Sequence, residues 1–191
     1  RLNDCLGWVR GLGVRIPVNG RHMQYLRFLE KTRHLNEANA YYLRNLREID
    51  YARYEVHEFD RIRRYLHNNH TSTLSDRLTA YMSGPYRYSQ EGRSSANSRP
   101  RDIGLELSVG AEFAKIGIEV EFGKAEDPEP LITVEKRSYA VQCKRVSSDT
   151  PASISKKIKA AAKQIRGNCA SLKSVVSGVV VLDVTKSLNP G

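Results

Sequence analysis

Cysteine is scarce in this chain of 191 residues, and what there is stands alone. Cys5, Cys143 and Cys169 form no CxxC and share no Cys/His spacing. An odd, scattered set excludes a disulfide scaffold and offers no zinc site. His22, His34, His57, His67 and His70 show no HExxH or similar metal spacing, and they read as surface residues. No Gly-Lys-Ser/Thr follows the glycines at 7, 11, 13 and 20, so the pattern of a nucleotide-triphosphate loop is missing. No apolar run is long enough to span a bilayer and no secretory leader is visible, so no membrane partner and a cytoplasmic location are expected. Arg1 in place of an initiator Met reads as a piece of a longer protein. Glycine and proline are also absent from 22 to 68.

What is abundant is positive charge. The formal net charge is +10, which favours a polyanionic partner. The distribution sharpens this. Residues 102–135 carry nine acidic and two basic side chains, whereas 144–173 carry eight basic and one acidic. An acidic pocket beside a basic rim suits metal-assisted phosphodiester chemistry, because the rim holds backbone phosphates and the carboxylates hold a cation.

Three regions are expected. Residues 1–82 read as mostly helical. Within 22–68, one seven-residue frame aligns Phe28, Leu35, Tyr42, Ile49 and Val56, with Ala38, Ala52, Phe59 and Leu66 at a second position. This predicts one long helix or two packed ones, with an apolar stripe that docks on the rest of the chain or on a second copy as a homodimer. The tyrosines of this stretch read as packing residues. Residues 83–101, rich in Ser, Gly and Arg, read as a linker or loop. Residues 102–191 carry the pattern helix (102–117, stopped by Gly117), strand (118–122), hairpin, helix (153–166) and strand (178–184). In the second helix Ile154, Ile158, Ala161 and Ile165 are expected on one face. The run Gly178–Val184 reads as a strand buried on both faces.

The chemistry concentrates in the hairpin. Glu126-Asp127-Pro128-Glu129 precedes an apolar-alternating strand, and Tyr139-Ala140-Val141-Gln142-Cys143-Lys144-Arg145 forms the next. Gln142 and Lys144 are two apart on a strand and share a face. A carboxylate, a second oxygen ligand and a lysine converging on one spot can hold a divalent metal and a water beside a phosphate. Cys143 points to the opposite face, as a small core residue.

This segment resembles the core of the PD-(D/E)XK nucleases, with Pro128-Glu129 as the "PD" and Gln142-Cys143-Lys144 as the "(D/E)XK". Glutamate replaces the usual aspartate, with Asp127 two residues earlier. The QxK ending is similar to the Mrr-type branch of restriction endonucleases, although that branch's glycine- and aspartate-rich lead-in is missing. The resemblance implies an α/β (α+β) fold with a restriction-endonuclease-like core of helix, three-stranded meander, helix and strand, preceded by the long helical N-terminal region. It implies a Mg²⁺ (or Mn²⁺) site formed by Glu129 or Asp127, Gln142, the backbone carbonyl of Cys143 and the helix acid Glu106, with Lys144 orienting or deprotonating the attacking water. Gln164 matches the polar residue that the family's following helix directs at the site. Arg145, Lys156, Lys157, Lys159, Lys163, Arg99 and Arg101 are the expected nucleic-acid contacts.

The expected activity is divalent-metal-dependent hydrolysis of DNA phosphodiester bonds. The alternatives are a nuclease-fold DNA-binding or assembly module without catalysis, and a nuclease acting on RNA. Reversing Lys156, Lys157 and Lys163 to Glu should weaken DNA binding uniformly across sequences and flatten its salt dependence, since such contacts read phosphates rather than bases. An unchanged salt slope in a fluorescence titration would mean that this helix face is merely solvated.

Overall fold

The computed structural model describes residues 1–36, 38–69, 71–85, 95–123, 130–146, 150–172 and 175–184, with side chains in the fourth segment from Arg99 onward. Asp127 and Glu129 lie outside the described residues. Among those described are seven helices and one mixed four-stranded sheet. Helices α1 (Leu2–Gly11), α2 (Arg21–Thr32), α3 (Ala40–Arg44), α4 (Leu46–Leu66) and α5 (Ser72–Met82) precede α6 (Ser95–Lys115). Strands β1 (Glu119–Glu121), β2 (Leu131–Val134) and β3 (Arg137–Arg145) follow, then α7 (Pro151–Ser171) and β4 (Val175–Asp183). The sheet order is β1-β2-β3-β4, antiparallel as far as β3, with β4 parallel to β3. No described helix is long and apolar enough to cross a membrane.

The stretch 22–68 does not form one helix. Asparagines break it, because their short amides compete with the backbone's own hydrogen bonds. The Asn36 Oδ1 accepts from Ala38 N at 3.1 Å, and the Asn39 Oδ1 caps α3 by accepting from Tyr41 N at 2.9 Å. The seven-residue frame survives in α4, where Ile49, Ala52, Val56, Phe59 and Leu66 are buried; upstream, Ala38 is exposed. Helices α1, α2 and α6 pack on α4 and cover this part of the stripe within the chain, while Leu35 and Tyr42 upstream are half-buried.

Helix α6 begins inside the stretch expected as linker and continues through Pro100. The Pro100 ring sits against Gly84, whose φ of +96° and missing side chain leave room for it. Further along, Ile103, Leu107 and Ala111 are buried, and Gly117 (φ +81°) ends the helix as expected, with Ile118 N bonding back to Phe113 O at 3.1 Å. A single buried cluster runs from Leu2 through the helices to Val141 and Cys143, so the helical region and the sheet share one core. Strands β2 and β3 join through Glu135 and Lys136, both at positive φ, the geometry of a two-residue hairpin turn.

Two expected faces differ. On α7 the inward residues include Ile154, Ala161, Ile165 and Asn168, while Ile158 is 42 % exposed. Strand β4 is an edge strand, with Val176 and Val179 exposed. Its unbroken apolar run does not mark a strand covered on both sides.

His22 also departs from expectation, being fully buried between Phe59 and Tyr81, with ring centroids 4.7 Å from each. Burial, together with the nearby Arg21 and Arg101, holds its pKa well below 6.5. The neutral ring is therefore the folded form, while an unfolded chain would bind a proton near pH 6.5. Stability from this group is complete above that pH and is lost as pH falls below it, by up to about 1.4 kcal/mol per pH unit. Urea unfolding between pH 7.5 and 5.5 should show this slope in the wild type and a shallower one in His22→Phe. Identical slopes would place the acid sensitivity elsewhere.

Candidate functional site

Gln142 and Lys144 do share a face of β3, and Gly178 identifies which one. Gly178 pairs with Ala140 across the parallel β3–β4 ladder. A Cβ added there would meet the Ala140 carbonyl at 2.6 Å and Ile165 of α7 at 2.7 Å. Alternation therefore directs Ala140, Gln142 and Lys144 toward α7, and Val141, Cys143 and Arg145 toward α6. Val141 and Cys143 belong to the core cluster, as their side of the strand requires.

Gln142 is 1 % exposed, and its Oε1 has no hydrogen-bond partner among the described residues. An orphaned buried acceptor of this kind costs about 1–3 kcal/mol. Lys144, two residues on, is half-buried. The ends flanking residues 124–129 are both held by hydrogen bonds. The carbonyl of Pro130 accepts from Val141 N at 2.9 Å, and that of Gly123 accepts from Arg77 Nε at 3.0 Å.

Glu106 has a different setting from the one expected. It sits on α6, the helix that packs on the opposite side of the sheet, and its carboxylate is bonded to the Arg77 guanidinium. Arg77 is 1 % exposed and also lies 5.7 Å over the Phe122 ring. A guanidinium so deeply buried needs an anion, and Glu106 supplies it. Two expected phosphate contacts are likewise engaged. Arg101 is buried, bonding Glu55 at 2.9 Å, the Tyr51 hydroxyl and Pro85 O at 3.3 Å. Arg145 lies between Asp102 at 3.4 Å and Asp183 at 3.8 Å. On α7, Lys156, Lys159, Lys163 and Gln164 are exposed and Lys157 is half-buried, so this helix offers a cationic outer surface; Arg99 is exposed on α6. Among the described residues no group of three or more His, Cys, Asp or Glu gathers to hold a metal ion.

A cleft of about 900 Å³, unforeseen from the sequence, lies between α4, α6 and the α6-facing side of β3 and β4. Its lining comes from α2, α4, α5, α6 and both strands, so no local spacing could have signalled it. Tyr51 and Tyr81 face it, and burial raises both phenols' pKa far above 10. Both hydroxyls therefore stay neutral, and that of Tyr51 donates to Glu55 at 2.8 Å.

No family model matches the chain, nor does any curated protein or solved structure.

The Glu106–Arg77 pair has a consequence for stability. Glu106→Ala should lower the unfolding free energy by about 3 kcal/mol, because it removes one partner of a buried ion pair. The loss should appear in urea titrations with EDTA present. An acid whose role was to hold a cation would show no such loss without metal, so unchanged stability would return Glu106 to the metal-ligand role.

Proposed function

We propose that this chain is a divalent-metal-dependent nuclease of the PD-(D/E)XK type, acting on DNA. The observation that carries the reading is the orphaned, buried Oε1 of Gln142, on the same strand face as Lys144. A neutral acceptor with no partner suits a hard cation or a water. Two further features support it. The element order from α6 to β4 and the parallel return of β4 beside β3 agree with the resemblance read from the motif. The exposed lysines of α7 border the same side of the sheet.

Gln142 and Cys143, through its carbonyl, would hold Mg²⁺ or Mn²⁺ together with Glu129 or Asp127. When bound, the ion would lower the pKa of a water and neutralise charge on the scissile phosphate. Lys144 would orient that water or stabilise the charge that develops on the phosphorus oxygens. Glu106 drops from this set, because Arg77 holds it. With an amide in place of one acid, the site carries one negative charge fewer, and the substrate phosphate must supply part of the coordination.

A second reading rests on the same two departures. With Gln142 neutral and Glu106 engaged, the chain could bind DNA through α7 without cutting it. Incubation with plasmid, linear duplex, single-stranded DNA and RNA, each with and without Mg²⁺ or Mn²⁺, separates the two. Metal-dependent cleavage of DNA is expected. Lys144→Ala should lower its rate at least about a hundredfold while leaving most DNA affinity intact. Binding without cleavage of any substrate would leave the inactive module, and full activity in Lys144→Ala would reject the assigned site.

A further inference from the structure

Arg21 is the first residue of α2, is 1 % exposed and lines the cleft between α4 and α6. Its Nε has no hydrogen-bond partner, and it makes no ion pair among the described residues. Its guanidinium lies 4.5 Å over the Tyr81 ring, beside the bare backbone of Gly104. The other three arginines of the cleft each have a carboxylate. Arg61 holds Glu58 and Glu112, Arg101 holds Glu55, and Arg145 holds Asp102 and Asp183. Arginine does not shed its proton when buried. An unpaired buried guanidinium is strongly unfavourable, and stacking on a tyrosine offsets only part of that cost.

The rest of the lining restricts what could supply the missing charge. The cleft walls carry four guanidinium and four carboxylate groups, so their fields cancel apart from the local deficit at Arg21. A polyphosphate would meet Glu55, Glu58 and Glu112 at close range. A single planar carboxylate matches the guanidinium fork without adding that repulsion. The other walls are Tyr51, Tyr54, Leu105, Val109, Phe113 and Val181, an aromatic and aliphatic surface. A volume of about 900 Å³ lies within the range of small-molecule sites.

We propose that this cleft binds a small monocarboxylate, its acid group seated on Arg21 and its apolar or aromatic body laid against Tyr54, Val109 and Phe113. The site lies on the side of the sheet facing away from Gln142 and Lys144, so the proposal stands independently of nuclease activity.

Calorimetric titration of the full chain with 2-naphthoate, 2-naphthamide and 2-naphthyl phosphate tests it. The acid should bind below about 1 mM and at least about tenfold more tightly than the isosteric amide, the contribution of a charge-assisted bond. The phosphate should also bind more weakly than the acid. Arg21→Met should erase the preference for the acid, and Val109→Trp, which fills the cleft, should weaken the acid at least about tenfold. If Arg21→Met does not fold, the acid-to-amide ratio in the wild type and the effect of Val109→Trp decide. Equal affinity for acid and amide, tighter binding of the phosphate, no binding of the acid below about 1 mM, or wild-type affinity for the acid in either variant would overturn the proposal.

Discussion

The close approach of two aromatic rings to the backbone of α6 holds the layers of this protein together. A Cβ at Gly104 would meet the Tyr81 ring at 2.8 Å, and one at Gly110 would meet Phe122 at 2.6 Å. The two glycines are six residues apart, so they face different sides of the helix. On one side α5 lies against α6, and on the other the end of β1 does. Each glycine costs the helix about 1 kcal/mol relative to alanine. That cost is offset by a single core in which the helices and the sheet bury their apolar faces together. A side chain at either position would separate the layers and open the contacts that fix Arg77, Glu106 and Arg101.

Buried charge is the second organising feature. Arg77 and Glu106 tie α5 to α6, and Arg101 and Glu55 tie α6 to α4. Such pairs add little net stability compared with apolar packing, but removing one partner is costly, so they specify which helices meet. They also engage several polar residues of the motif-bearing half. Glu106, Arg101 and Arg145 have the residue types a nuclease would use, and each is held by a neighbour across an element boundary.

The sheet thereby separates two environments. The α7 side carries Gln142 and Lys144 under a helix whose outer surface is lysine-rich. The α6 side carries the core and, beyond it, the cleft with its aromatic walls and the uncompensated Arg21. Each side holds a buried polar group with an atom that finds no partner among the described residues. The chemistry differs: an amide oxygen accepts from water or coordinates a cation, whereas a guanidinium seeks an anion.

Local patterns alone determined much of this protein. Alternation along β2 and β3, the stop at Gly117, the inward Cys143 and the shared face of Gln142 and Lys144 are all read within a few residues, because strand and helix periodicity are local properties. The order helix, three strands, helix, strand follows from them. The break at Asn36–Asn39 was also locally encoded, through asparagine side chains that compete with the helix, but the absence of glycine and proline concealed it. Tertiary structure alone decided the rest. It made β4 an edge strand although its composition reads as buried, placed His22 in the core, and set Arg77 against Glu106, 29 residues away. It also assembled the cleft from four helices and two strands far apart in the chain. Pairing partners and burial depend on which faces meet in space, and no spacing along the chain encodes that.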